Sequence, residues 1–122
     1  MSLVRRSGLR WERAGAPRTE QTMRMIVVRY QAKPDRAREN EQLINAVFAE
    51  LNERRAKGFG YEVVRLEDGV SFIHIVTEYD GDEHDSLQAV PAFQAFVAHV
   101  DDRCDIPPVA MEATVVGSYH GT

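Results

Sequence analysis

The stretch Tyr61-Glu-Val-Val-Arg-Leu-Glu-Asp-Gly-Val-Ser-Phe-Ile-His-Ile-Val-Thr-Glu-Tyr79 decides the fold. Two runs rich in β-branched and aromatic residues flank Glu67-Asp68-Gly69, and Asp-Gly between such runs is among the strongest short hairpin signals. With Asp68-Gly69 as a two-residue loop, Glu67 faces Val70 and Arg65 faces Phe72. Side chains then sort into two faces by parity. One face holds Tyr61, Val63, Arg65, Phe72, His74, Val76 and Glu78; the other holds Glu62, Val64, Leu66, Ser71, Ile73, Ile75, Thr77 and Tyr79. Both carry large apolar residues, whereas an antiparallel sheet covered on one side only alternates towards water on the other. A second covering layer is therefore expected, and a second copy of the chain is the economical one, because most soluble oligomers are symmetric. The expected partner is the chain itself, as a homodimer.

Upstream, Met25-Ile-Val-Val-Arg-Tyr-Gln-Ala32 reads as a strand ending at Lys33-Pro34-Asp35, with Asp35 placed to cap a helix. From Arg36 to Lys57, Leu43, Ile44, Val47 and Leu51 recur at helical spacing. Glu50 and Arg54 make an i,i+4 pair, and Gly58 supplies a left-handed residue after the end. Downstream, Asp80-Gly81-Asp82 ends the hairpin, Ser86–Val90 is a short helical turn, and Pro91 suits the first position of a helix. Phe93, Phe96, Val97, Val100 and Cys104 form its apolar stripe, Pro107-Pro108 stop it, and Val109 to Tyr119 is a last strand. The reading is α+β: four antiparallel strands with two helices.

The order of elements, the segment DGVSFIHIVTEY, the following VPAFQAF and the terminal VGSY resemble the antibiotic biosynthesis monooxygenase-like branch of the dimeric α/β-barrel superfamily. The resemblance covers about Met25 to His120. It implies a ferredoxin-like βαββαβ protomer with both helices on one face of the sheet. It also implies pairing of that sheet with a partner's sheet, and a small apolar pocket between sheet and helices. Quinol-oxidising members carry a histidine early in the second helix, where this chain has Leu87. Haem-degrading members use an asparagine on the first strand and a tryptophan in the sheet. Here the first strand has no asparagine and the one tryptophan is Trp11. Neither catalytic set carries over.

The chain's own chemistry centres on His74, which can serve as base, acid or ligand near neutral pH. Glu78 lies further along its face as an orienting carboxylate. Tyr61 and Arg65 with Phe72 would suit an aromatic, oxygen-bearing ligand, and Phe93 and Phe96 would wall it or serve simply as core. A histidine hydrogen-bonded in a half-buried sheet, or placed at the subunit seam, is the competing reading for His74. Which hairpin face meets the helices decides between them. Tyr30 and Tyr119 are placed at a pocket mouth or half-buried with wet hydroxyls. His84, Asp82 and His99 are expected to face solvent, and Cys104 to be an inert buried thiol.

Composition limits the remaining classes. With 122 residues, 43% apolar and 28% charged, one small domain is expected. No run approaches the roughly 18 apolar residues of a membrane span. A single cysteine gives neither a disulfide framework nor a Cys-rich zinc site. No metal set, phosphate loop or dinucleotide fingerprint stands out, so no cofactor is expected. The net charge of −4 argues against a nucleic-acid partner. Residues 1–22 are a basic extension, with Arg5, Arg6, Arg10, Arg13 and Arg18 against Glu12 and Glu20. They are Arg-rich like an organellar transit peptide, or an addition from an upstream start ahead of a domain over 23–122. The setting expected is cytoplasmic. Two functions follow. One is small-ligand binding with cofactor-independent oxidation of a phenol or quinol; the other is a non-catalytic binding or interaction module on the same fold.

Overall fold

A computed structural model describes residues 23–79 and 84–121. The basic extension and the Asp80-Gly81-Asp82 turn lie outside them. Strand β1 (Met23–Ala32) is followed by helix α1 (Ala37–Arg54), the hairpin β2 (Phe59–Arg65) and β3 (Ser71–Tyr79), helix α2 (Pro91–Ala98) and strand β4 (Cys104–Ala113). The strands form one antiparallel sheet in the order β2-β3-β1-β4. This is the ferredoxin-like arrangement, with both helices on one face.

The hairpin parity is as expected: Arg65 pairs with Phe72, Val63 with His74 and Tyr61 with Val76. The loop itself is longer, because Leu66 and Ser71 still exchange a backbone bond and Gly69 N–H closes a turn on Leu66 C=O. Asp68 braces it by accepting from Val70 N–H, Ser71 N–H and the Ser71 hydroxyl. Lengthening the loop by one residue on each side leaves the parity unchanged.

The face that meets the helices is the one bearing His74. Arg24, Ile26, Val28, Tyr30 and Ala32 alternate inward on β1, and Phe72, His74 and Val76 on β3. Asn40, Ile44 and Val47 of α1 and Phe93 and Phe96 of α2 close over them. Ile73 and Ile75 point the other way, so His74 lies between sheet and helices rather than at the outer seam.

Several boundaries differ from the sequence reading, each for a local reason. Asp35 does not cap α1: Pro34–Arg36 form a 3-10 turn, and the N-cap position falls to Arg36 without a side-chain bond. The left-handed residue ending α1 is Arg55 (φ 55°), not Gly58. Gly58 is needed for another reason, since a Cβ there would lie 2.7 Å from His84 Cα. The stripe of α2 does not run to Cys104. The helix ends at Ala98, and a 3-10 turn over Asp101–Arg103 leads straight into β4. Pro107 and Pro108 lie inside that strand rather than before it. β4 is an edge strand whose register to β1 slips between Arg29 and Ala32, and an irregular edge is where a sheet tolerates proline. Residues 114–121 have no regular structure, so the expected strand to Tyr119 stops short.

Gly69 (φ 79°) has no atom within 4 Å of a built Cβ, so Gly69→Ala meets only backbone strain. It should cost about 1 kcal/mol in urea unfolding. Gly58→Ala, which adds a collision with backbone to a φ of 94°, should cost clearly more. Equal costs would contradict the described packing at His84.

Candidate functional site

His74 sits at the centre of the helix-facing surface and has 0% exposure. Its two neighbours across the sheet are valines, Val28 on β1 and Val63 on β2. Small side chains directly opposite leave room for tyrosines one diagonal away, within reach for aromatic side chains. Tyr30 comes in from β1 and Tyr61 from β2. The Tyr30 hydroxyl is 2.8 Å from His74 Nε2, and the Tyr61 hydroxyl 2.8 Å from Nδ1.

This trio continues into the helices. Asn40 Nδ2, on the first turn of α1, donates to the Tyr30 hydroxyl at 2.8 Å. Arg103, in the turn before β4, donates from Nε to Asn40 Oδ1 at 3.1 Å and from its terminal nitrogen to Phe96 C=O at 2.8 Å. Arg103, Asn40, Tyr30, His74 and Tyr61 thus form one unbroken polar chain through the core. Four of them are buried; only Tyr61 is partly so.

The walls are aromatic. Phe96 stacks on His74 with centroids 5.3 Å apart, Phe72 stacks on Tyr30 at 5.5 Å, and Phe48 stacks on Tyr61 at 4.9 Å. Phe93 meets Tyr61 edge-on at 6.2 Å, and the Arg103 guanidinium lies 5.1 Å over the Phe96 ring. Such an environment penalises charge. Burial pulls the His74 pKa down to about 3 and pushes both tyrosines above their ordinary value, with the Tyr30–Tyr61 interaction adding to the rise at Tyr61. At neutral pH the imidazole and both phenols are uncharged.

The structure brings together His74, Tyr61, Phe72, Phe93 and Phe96 of the expected site residues. It does not bring Arg65 to them: that guanidinium is exposed and bonded to Glu41 on α1 at 2.7 Å. Nor does Glu78 orient His74, since both ring nitrogens are held by tyrosines and Glu78 pairs with Phe59 and Arg24 nearer the strand end. His74 itself is covered, and its ring nitrogens face Tyr30 and Tyr61 rather than open space. Burial keeps the imidazole neutral, and the partly exposed member of the group is Tyr61. Tyr30 is not half-wet but buried, its hydroxyl bonded twice.

Asn40 and Arg103 were not expected. A signal for each existed: Asn40 occupies the stripe position before Ile44, Val47 and Leu51, and Arg103 lies seven residues after Phe96. His99 faces solvent beside Asp102, and burial raises the Cys104 thiol to about 12, as an inert thiol requires. Among the described residues no cluster of His, Cys, Asp or Glu could hold a metal ion. No helix among them is long and apolar enough to cross a membrane.

Comparison with solved structures settles the fold. An antibiotic biosynthesis monooxygenase-like protein from Nitrosomonas europaea superposes with a TM-score of 0.64 at 11% identity, over 82% of this chain and 96% of that one. SnoaB, a cofactor-independent oxygenase from Streptomyces nogalater, gives 0.59 at 18% identity, over 80% and 97%. Rv0793 from Mycobacterium tuberculosis gives 0.63 at 15% identity, over 80% and 99%. This chain shares the fold of these proteins. No protein-family model matches the sequence, and no curated protein does.

The neutral histidine links stability to pH. The unfolded chain takes up a proton near pH 6.5, the folded chain only near 3. The His74 contribution is therefore complete above about 6.5 and is lost as pH falls towards 3. Unfolding free energy should drop by roughly 2 kcal/mol between pH 7 and pH 5, at up to about 1.4 kcal/mol per unit. His74→Phe should flatten that slope whatever its own cost. An unchanged slope would mean that the imidazole is protonated in the fold.

Proposed function

We propose that the protein is a homodimeric barrel that binds a small phenol or quinol against Tyr61 and oxidises it with dioxygen without a bound cofactor. The observation carrying this reading is the Tyr30–His74–Tyr61 array, a line of polar groups inside aromatic walls that ends at its one partly exposed member. A ligand approaching along Tyr61 meets a phenol hydroxyl for its own oxygen and Phe48 and Phe93 for its ring. Apolar walls suit both an aromatic ring and dioxygen, and they keep water from the reactive anion. The chemistry asks little else. A phenol with a free ring carbon plus one dioxygen gives the quinone and one water, with the substrate supplying all the electrons. The fold shared with SnoaB, described as a cofactor-independent oxygenase, supports this reading.

The homodimer is proposed from the opposite face of the sheet. There Val64, Leu66, Ile73, Ile75, Val109 and Met111 lie side by side, with Met111 65% and Val109 49% exposed. An apolar patch drawing on β2, β3 and β4 is a protein-contact surface in a stable chain. A second copy offers an identical, self-complementary patch. A cytoplasmic setting is proposed with it.

A second reading has its own observation. His74, Phe72 and Phe96 have essentially no exposed surface, so the interior between sheet and helices is filled by side chains. That favours a non-catalytic binding or interaction module in which the polar chain serves the fold.

Oxygen uptake with a panel of phenols and hydroquinones distinguishes the two, alongside anaerobic binding measured by tyrosine fluorescence. Oxygen-dependent quinone formation that falls at least tenfold in Tyr61→Phe supports the oxygenase. Absence of both binding and oxygen uptake across the panel leaves the interaction module. Sedimentation should give twice the 13.8 kDa chain mass, and Met111→Glu should shift it to the monomer while leaving the circular dichroism intact. A stable wild-type monomer at micromolar concentration would overturn the dimer.

A further inference from the structure

We propose that Arg103 and Asn40 are positioning residues that fix His74 as its Nδ1–H tautomer and aim every donor of the buried chain at Tyr61. The argument begins with a group that can only donate. A guanidinium has no acceptor, so the Asn40 atom 3.1 Å from Arg103 Nε must be the carbonyl oxygen. Turning the amide over would set N–H against N–H in a buried site. The Asn40 amide nitrogen therefore faces the Tyr30 oxygen, 2.8 Å away, and donates to it. The Tyr30 oxygen could accept a second time, but its own hydrogen would then forgo the acceptor that His74 Nε2 offers at 2.8 Å; donating there satisfies both groups.

A neutral imidazole has one donor and one acceptor nitrogen. With Nε2 accepting, Nδ1 carries the hydrogen and donates it to the Tyr61 oxygen, again at 2.8 Å. The Tyr61 hydroxyl hydrogen must then point away from His74. Direction is transmitted over four hydrogen bonds from a buried cation to the one partly exposed phenol. Each bond polarises the next in a low-dielectric interior, so the last hydroxyl is a stronger donor than an isolated tyrosine.

This deepens the reading of the preceding subsection and, where it concerns a ligand, rests on it. Tyr61 meets the ligand as a donor that holds a phenolate oxygen, and His74 is not the acceptor of its proton. The tautomer itself needs no ligand, and so it is testable even if no substrate is ever found.

The measurement is a long-range proton–nitrogen correlation spectrum of the full-length, 15N-labelled protein at pH 7, with His74 assigned by its disappearance in His74→Gln. The expected wild-type pattern is a protonated Nδ1 and an unprotonated Nε2. Asn40→Asp then reverses the chain. A carboxylate only accepts, so it takes a hydrogen from Arg103 on one side and from the Tyr30 hydroxyl on the other. Tyr30 must now accept from His74, and the spectrum should change to protonated Nε2 with the fold retained. If Asn40→Asp does not fold, Tyr30→Phe, which deletes the donor to Nε2, should instead abolish the preference for Nδ1–H. A wild-type Nε2–H pattern overturns the proposal, as does a tautomer that stays the same in the folded variant. Loss of oxygen uptake with the expected spectra would count against the oxygenase and leave the positioning role standing.

Discussion

An imidazole with no exposed surface can exist in a core only if both ring nitrogens are bonded, and that requirement organises the interior of this protein. Burying a hydroxyl or amide without a partner costs a few kcal/mol, comparable to a sizeable part of a small domain's net stability. His74 therefore needs Tyr30 and Tyr61. Tyr30 is buried with it and Tyr61 half-buried, and Tyr30 in turn draws in Asn40 from α1, which draws Arg103 from the turn before β4. One polar residue in the middle strand commits partners in β1, β2, α1 and the last connection. The chain ends at a cation that satisfies itself partly on the Phe96 carbonyl, just where α2 is finishing and its own carbonyls lack partners. The short α2 and the buried Arg103 thus have a common cause.

The topology makes this possible. In the order β2-β3-β1-β4 the histidine strand is flanked by the two strands that carry the tyrosines, and valines sit directly opposite His74 on both sides. Bulkier residues at Val28 or Val63 would block the diagonals along which the rings reach the imidazole. Aromatic packing then supplies what the polar chain lacks. Phe96, Phe72 and Phe48 each stack on one member, so rings and hydrogen bonds hold the same side chains in the same positions.

Most of the fold was legible in the hairpin, because a period of two with an Asp-Gly turn admits one register. Parity placed Tyr61, Phe72 and His74 on one face, and the structure keeps them there. The face itself was ambiguous from sequence, since both were apolar. The structure resolves it by burying Phe72, His74 and Val76 beneath the helices, with Asn40 of α1 among them. Arg65 and Glu78 were misplaced because parity gives the side of a sheet but not the distance from its centre. Both lie towards strand ends, and Arg65 reaches out from there to Glu41 on α1. Arg103 was hidden because the stripe continues past the helix, and a 3-10 turn carries it inward where a longer helix had been expected.

The two faces of the sheet solve opposite problems with the same strands. Inward, apolar rings surround a polar thread within one subunit; outward, apolar residues stand exposed among the described residues. Each strand contributes to both through alternating positions, so the faces share a backbone without sharing contacts. Ile73 and Ile75 flank His74 in sequence and lie on the opposite side. A second subunit on the outer face would stiffen β3 on both sides of the histidine and hold the 2.8 Å contacts at fixed geometry without touching them. Under the proposed dimer, the association surface therefore bears on the candidate site through the backbone of one strand. The inner chain remains complete within each protomer.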